Sequence, residues 1–181
     1  FHLPENADDL LVDDFGSQTR AFLKIQDGCD AGCAYCIVPQ LRKTPRDKPI
    51  DLAVAEAEAI VKRGYQEIVM TGVHVGLYGR ESGEGSLCEV LLRVLEIPNI
   101  GRIRMSSLHP ADLTDDLLTV WSSSPHMMPH LHLSLQSGSD GVLKRMGRGY
   151  SVNEYAEAVA RARAALDHPA ITTDVIVGFP G

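Results

Sequence analysis

The sequence predicts an α/β protein built on a parallel β-sheet. Short stretches typical of β-strands alternate with longer stretches that have helical spacing, and this order recurs along all 181 residues. The segments between strands are long enough to cross over one face of the sheet, and such crossovers join parallel strands. With 44% apolar residues, the chain can bury one sizeable hydrophobic core.

The predicted strands are short apolar stretches bounded by turn residues. The first alternates apolar and polar residues and ends at the turn signal Asp27-Gly28, whereas the last is rich in β-branched residues. In chain order the strands cover residues 20–26, 67–71, 102–106, 131–135 and 171–177.

The predicted helices carry apolar residues three or four positions apart, as amphipathic helices do. Gly64 is a stop signal for the first helix, and Asp112 or Thr114 supplies a cap for the third. A glycine-rich loop, residues 72–85, follows the second strand. In chain order the helices cover residues 50–63, 86–95, 113–121 and 152–166.

Three cysteines follow the first strand within eight residues: Cys29, Cys33 and Cys36, in the spacing C-x3-C-x2-C. Three thiolates can hold three irons of a [4Fe–4S] cluster and leave the fourth iron open to an outside ligand. A zinc site completed by a histidine is the alternative. Disulfides fit poorly, because the remaining Cys88 is distant and lies in an amphipathic stretch that predicts a core position.

Four blocks, in order, carry a resemblance to a known family. They are the cysteine block IQDGCDAGCAYC (25–36), TGVHVGLYG (71–79), LSLQSGSD (133–140) with KRMGRGY (144–150), and DVIVGFPG (174–181). In these blocks the chain resembles the radical S-adenosylmethionine (SAM) methylthiotransferases, which modify a tRNA adenosine or a ribosomal-protein aspartate. The second block is most similar to the branch that acts on N6-threonylcarbamoyladenosine in tRNA.

The resemblance implies a fold and a domain organisation. The fold would be a partial TIM-type (βα)6 radical SAM barrel with about five of its six βα units present. Residues 20–181 would form the radical SAM core, truncated at its C-terminal side. The acidic residues 1–19 would be a connector from a missing N-terminal domain that binds a second [4Fe–4S] cluster, and a C-terminal RNA-binding domain would also be missing.

The resemblance also implies the chemistry and its residues. Cys29, Cys33 and Cys36 would bind a [4Fe–4S] cluster whose open iron receives SAM, and one electron would cleave SAM to methionine and a 5′-deoxyadenosyl radical. Further residues are expected at the strand ends, where parallel βα units bind ligands. The expected SAM-binding residues are Tyr35, Thr71, Ser134, Gln136, Arg148 and Asp174.

Each of these residues has its own reason. Tyr35 would pack over the cluster or the adenine, or else face solvent. Thr71 stands where many relatives carry Gly-Gly-Glu, so its hydroxyl or a carbonyl would accept the methionyl amine. Ser134 and Gln136 would share one face of a strand.

The last two expected SAM-binding residues are charged. Arg148 would grip the methionyl carboxylate with two parallel hydrogen bonds. Asp174, inside the last strand, would be a buried acid that needs a partner. Ser106 and Ser107, after the third strand, are further candidates for the cavity lining.

The distribution of charge along the chain bears on how it would bind RNA. A net charge of −7 and a pI near 5.4 argue against this segment gripping RNA alone. A local basic run still follows the cysteines, in which Arg42 and Arg46 would guide the tRNA anticodon loop, although Leu41 and Lys43 depart from the family pattern. His74 would contact the substrate or order its own loop.

The predicted function is therefore a transferase that methylthiolates tRNA. The alternatives are methylthiolation of a ribosomal-protein aspartate and a non-enzymatic iron–sulfur scaffold. The enzyme would need a reductant such as flavodoxin or ferredoxin. Clustered thiols predict a reducing, cytoplasmic location, and no apolar run is long enough to predict a membrane span.

Overall fold

The computed structural model describes residues 11–80, 83 and 85–181. The first ten residues of the predicted connector, and residues 81, 82 and 84 of the predicted glycine-rich loop, lie outside this range. Within it, six strands and six helices follow one another as β1 (Ala21–Asp27), α1 (Val38–Leu41), β2 (Arg46–Asp47), α2 (Ile50–Lys62), β3 (Glu67–Gly72), α3 (Leu87–Leu95), β4 (Arg102–Met105), α4 (Asp115–Ser122), β5 (His130–His132), α5 (Asp140–Arg145), α6 (Val152–Ala165) and β6 (Ala170–Thr172).

The parallel α/β architecture predicted from the sequence is confirmed. One sheet has the strand order β2-β1-β3-β4, and its β1–β3 and β3–β4 pairs are parallel. The strands β5 and β6 form a second parallel pair. Isolated bridges, among them Leu108 with Leu133, join the two sheets into one curved surface, as in a partial barrel.

Helices α2, α3, α4 and α6 pack against one another in series, and their buried apolar residues join those of the strands in one core. In β1, Ala21, Leu23 and Ile25 are fully buried and face the apolar stripe of α2. Trp121 is the largest fully buried side chain, and its indole N–H donates to the carbonyl of Met128 at 2.8 Å. Each large apolar side chain buried in this way contributes about 1.5–3 kcal/mol.

Local signals in the sequence explain where the helices begin. The side chain of Ser86 caps α3, that of Thr114 caps α4, and Ser151 with Glu154 forms a capping box at α6. The cap predicted at Thr114 is therefore present. After α2 the chain turns at Gly64, which has a φ of +94° that favours glycine.

Several predicted bounds were wrong. The last strand was expected over residues 171–177, but β6 ends at Thr172, and β5 ends at His132. Beyond these ends the two segments stay paired through an isolated bridge between Gln136 and Val175, and Gln136 has a left-handed φ of +67° there. The short elements α1, β2 and α5 were not predicted, and β2 runs antiparallel to β1.

Within the described part of the chain, no helix is both long and apolar enough to span a lipid bilayer.

Candidate functional site

The candidate site lies at the carboxyl ends of the strands, where the cysteine loop meets residues from elsewhere in the chain. The cysteine loop follows β1. His74, after β3, places its Nδ1 3.8 Å from the sulfur of Cys29, and Arg148, after α5, places Nη1 3.3 Å from the sulfur of Cys33. The fold thus brings together three blocks that are far apart in sequence.

Backbone contacts on two sides hold the cysteine loop. The Cys29 N–H donates to the carbonyl of Arg42, and the Ala34 N–H donates to the carbonyl of Met146, both at 2.9 Å. Gly28 and Gly147 have positive φ angles, and a Cβ on either would lie 2.5 Å or less from a neighbouring carbonyl oxygen. Only glycine fits these two close approaches.

The thiols differ in exposure. Cys29 is buried, whereas Cys33 and Cys36 are partly exposed. Burial raises the pKa of the Cys29 thiol, while a hydrogen bond from the N–H of Ala31 acts in the opposite direction. Cys88 packs against the core from α3, as predicted.

Arg148 lies against the cysteine loop through its guanidinium. Besides Cys33, its Nη1 reaches the hydroxyl of Tyr35 at 3.4 Å, and its Nε donates to the hydroxyl of Tyr150 at 3.1 Å. The guanidinium also lies over the Tyr150 ring, 5.0 Å from the centroid. Its Nη2 is buried and has no hydrogen-bond partner among the described residues.

A second polar network lies beside Cys29. The Nε2 of His74 is 2.8 Å from the Asp112 carboxylate, and the imidazole of His109 stacks on that of His74 with centroids 3.9 Å apart. Burial, with the nearby charges of His74 and Arg148, lowers the pKa of His109 to about 4. Burial by itself raises the pKa of Asp112, but its hydrogen bond and charge interaction with His74 hold it below the usual range.

This network is a hydrogen-bonded cluster and not a built metal site. Donor atoms of His74, His109 and Asp112 do lie within 4.8 Å of one another. The two rings, however, stack with an interplanar angle of 32°, so their in-plane lone pairs do not converge well on one ion, and one His74 nitrogen already faces Asp112.

Two sequence arguments about the site were wrong. Asp174 was expected to be buried inside the last strand, but its side chain is 71% exposed, because β6 ends before it, and its carboxylate lies 3.3 Å from Nε2 of His132. Ser134 and Gln136 were expected to share a strand face, but β5 ends at His132 and Gln136 has left-handed backbone geometry. Ser134 itself is buried.

The other predicted residues differ in their exposure to solvent. Thr71 is the second-last residue of β3 and is partly buried. Arg42 and Arg46 are exposed, and Arg42 is paired with Asp27 at 3.0 Å. His74 is 8% exposed, and both of its ring nitrogens face protein atoms. This arrangement favours the order of its own loop over direct substrate contact.

Sequence reasoning missed Gln26, His109 with Asp112, and Tyr150. The hydroxyl of Tyr150 connects Arg148 to the carbonyl of Leu135, at 3.0 Å from the latter. Only Gln26 had a usable signal, as a polar residue in the apolar strand β1. The remaining contacts join distant segments and have no local signature.

We call the carboxyl ends of the strands, with the loops that follow them, the mouth of the fold. Its residues suit a [4Fe–4S] cluster with SAM. Three thiols share one loop, and N–H groups of Ala31 and Arg148 already point at two of the sulfurs, as donors around iron–sulfur clusters do. Two buried polar atoms, Ser106 Oγ and Arg148 Nη2, have no partner among the described residues and suit a ligand rich in acceptor oxygens.

Solved structures share this fold. The chain superposes with a TM-score of 0.71 on the radical SAM methyltransferase TsrM from Kitasatospora setae, at 13% identity, over 89% of this chain and 31% of that one. It superposes with a TM-score of 0.67 on the cobalamin-dependent radical SAM enzyme OxsB, at 17% identity, over 86% of this chain and 23% of that one. At these identities the likeness concerns the fold alone.

Curated relatives are much closer in sequence. The threonylcarbamoyladenosine tRNA methylthiotransferase MtaB of Chlamydia pneumoniae is 46% identical over 96% of this chain and 41% of its own length. The MtaB of Thermotoga maritima is 43% identical over 92% of this chain and 38% of its own length. A tRNA-2-methylthio-N(6)-dimethylallyladenosine synthase of Streptomyces coelicolor is 44% identical over 91% of this chain and 33% of its own length. The chain thus spans less than half the length of these relatives.

A family model matches nearly the whole described fold. The model described as the radical SAM superfamily matches residues 23–181, from β1 through the last strand. The match includes the three-cysteine loop and all the strand ends that form the mouth. The chain therefore belongs to the radical SAM superfamily.

Proposed function

We propose that this chain is the radical SAM core of a methylthiotransferase that acts on N6-threonylcarbamoyladenosine in the anticodon loop of tRNA. The observation that carries the proposal is the three-thiol loop with Arg148 against it, in a chain 46% identical to an MtaB protein. Methylthiolation of a ribosomal-protein aspartate is the alternative that the resemblance leaves, and no feature of the site favours it.

Membership of the superfamily implies a [4Fe–4S] cluster and SAM. When bound, the cluster supplies the electron that cleaves SAM and so starts radical chemistry on an unactivated carbon. Cys29, Cys33 and Cys36 would hold it. The protein contributes ligation, orientation and exclusion of water, and the burial of Cys29 and Ser134 makes the inner part of the mouth the drier one.

Different residues around the mouth would bind different groups of SAM. Arg148 would bind the methionyl carboxylate through Nη2, the atom that has no partner among the described residues. Thr71 would accept from the methionyl amine. Ser134 with Gln136 would face the ribose or the carboxylate. Tyr35, hydrogen-bonded to Arg148, would pack over the cluster or the adenine.

The outer rim beside the cysteine loop has the character of a surface for single-stranded RNA. Ile37 and Leu41 are 55% and 74% exposed and lie next to the exposed basic side chains of Arg42, Lys43 and Arg46. Apolar and aromatic groups support unstacked bases, and cations neutralise phosphates. His74, beneath this rim, would act on the substrate through the shape of its loop.

The proposal extends to parts of the longer protein. Residues 1–19 would connect to a domain with a second [4Fe–4S] cluster, and a further domain would supply most of the RNA affinity, because this chain has a net charge of −7. A flavodoxin or ferredoxin would deliver the electron in the cytoplasm. Asp174 is exposed beside His132. It would contact SAM only if another part of the longer protein covered this edge of the sheet.

Arg148→Ala should weaken SAM binding without removing the cluster. The loss should be about 1.5–3 kcal/mol, the range for a hydrogen bond to a charged group. Iron and sulfide content should stay unchanged, because the three thiols remain. Anaerobic titration calorimetry checks the affinity. Arg145→Ala is the matched control, because Arg145 is exposed and contacts the carbonyl of Pro180. Unaltered affinity in Arg148→Ala would remove this residue from the site.

The full-length protein should convert N6-threonylcarbamoyladenosine in tRNA to its 2-methylthio form. Nucleoside mass spectrometry of tRNA from cells that lack the gene should show the methylthio group lost from that nucleoside and restored by the intact gene. A normal tRNA profile together with an unmodified ribosomal aspartate would move the assignment to the alternative.

A further inference from the structure

Gln26 is the second-last residue of β1, three positions before Cys29, and it is 1% exposed. Every polar atom of its side chain is engaged. Nε2 donates to the carbonyls of Asp27 and Gly28, each at 2.8 Å, and Oε1 accepts the N–H of His74, also at 2.8 Å. Carbonyls only accept and the backbone N–H only donates, so these partners fix the orientation of the amide.

The backbone is shaped to deliver this side chain. In the β1–β3 pairing, Lys24 lies opposite Thr71 but Gln26 lies opposite Gly72, so β1 carries one extra residue, Ile25, as a bulge. The bulge leaves both Ile25 and Gln26 buried. A Cβ on Gly72 would lie 2.9 Å from the Cβ of Gln26, so glycine at that position makes room for the amide.

The amide connects two loops with different tasks. On one side it holds the backbone that enters the cysteine loop, directly before Cys29. On the other side it holds His74, whose ring contacts the sulfur of Cys29 and the carboxylate of Asp112, in the loop that follows Thr71 and Gly72 at the end of β3. The ladder pairs Lys24 with Thr71, and beyond the paired strands one buried side chain connects the backbone before Cys29 to His74.

We infer that Gln26 is a positioning residue that fixes the cysteine loop relative to the Thr71–His74 loop, and with it the gap in which SAM binds. The inference rests on the proposed function, since it takes the first loop as the cluster ligand and the second as the acceptor for the methionyl amine. Gln26 touches neither group itself. Because Gln26 acts only through the positions of the two segments, changing it should lower SAM affinity while the cluster content stays unchanged.

Gln26→Glu is the sharpest test, because the side chain keeps its size and the acceptor for His74 but loses both donors to Asp27 and Gly28. A carboxylate would instead face two carbonyl oxygens. We expect full iron content in the reconstituted full-length protein, and SAM affinity reduced by about tenfold or more, as the loss of two hydrogen bonds and the added repulsion require. In a titration followed by electron paramagnetic resonance, the SAM concentration that changes the spectrum of the reduced cluster should rise by the same factor.

Two further variants complete the design. Gln26→Met removes all three hydrogen bonds without adding charge and should weaken SAM binding in the same direction. Gln18→Glu adds the same charge at an exposed position and should behave as the wild type. Wild-type SAM titration in Gln26→Glu or Gln26→Met overturns the inference. Loss of iron from both variants also overturns it, since Gln26 would then serve the folding of the loop.

The wild-type protein separates this inference from the proposal beneath it. If SAM causes no spectral change in the reconstituted wild type, the proposed function fails, whatever Gln26 does. If the wild type responds and the Gln26 variants respond equally, only the positioning role fails.

Discussion

Replacing any one of Cys29, Cys33 and Cys36 with alanine should abolish the iron–sulfur cluster of the anaerobically reconstituted protein. Three thiolates are the minimum that holds a [4Fe–4S] cluster with one open iron, and the chain has its only other cysteine in α3. Iron and sulfide analysis, together with the charge-transfer absorbance, should fall to background in each variant. The effect is all-or-none and is the largest we expect at the site.

Cys88→Ala is the control, and it should retain full iron and sulfide. Equal loss in this variant would overturn the ligand assignment. Metal and sulfide analysis also distinguishes an iron–sulfur cluster from a zinc site. His74 would be the natural fourth ligand of a zinc site, since its Nδ1 faces Cys29 while Asp112 holds its other nitrogen. One zinc per chain without sulfide would therefore contradict the cluster.

Gly28→Ala should strongly destabilise the protein by adding a single methyl group. Gly28 has a φ of +75°, and a Cβ there would lie 2.3 Å from the carbonyl oxygen of Thr44. The left-handed backbone and the clash together should lower the free energy of unfolding by about 2–5 kcal/mol. Thermal unfolding of the cofactor-free protein measures the loss, and reconstitution should give less iron because Cys29 is displaced.

Gly32→Ala is the matched control within the same loop. Its φ is not in the left-handed region, and a Cβ there would meet no atom within 4 Å. It should leave both the unfolding free energy and the iron content close to wild type. If the two variants are equally destabilised, the close approach at Thr44 does not explain the requirement for glycine at position 28.

The sequence was sufficient where a signal is local. The apolar alternation of β1 and the cap at Thr114 lie within a few residues of the elements that they define. The cysteine loop is equally local, because all three thiols lie within eight residues. Such features follow from side-chain periodicity and capping chemistry alone.

The sequence was insufficient where tertiary contacts decide. Strand propensity carried the last strand to residue 177, but pairing with β5 stops at Thr172, so Asp174 is exposed. The stacked pair of His74 and His109 with Asp112 joins two loops 35 or more residues apart, and no local pattern encodes it. The bulge that turns Gln26 inward likewise depends on the register against β3.

The contact between Arg148 and Cys33 spans 115 residues of the chain, and the Ala34–Met146 backbone bond spans nearly as many. Contacts of such long range close late in folding, because the chain entropy of the intervening segment must be overcome first. The cysteine loop therefore gains these two contacts only after the segment with Met146 and Arg148 has packed against it. A nascent chain that ends before Met146 would lack both contacts, so the loop that carries the thiols would have neither this backbone anchor nor the guanidinium beside Cys33.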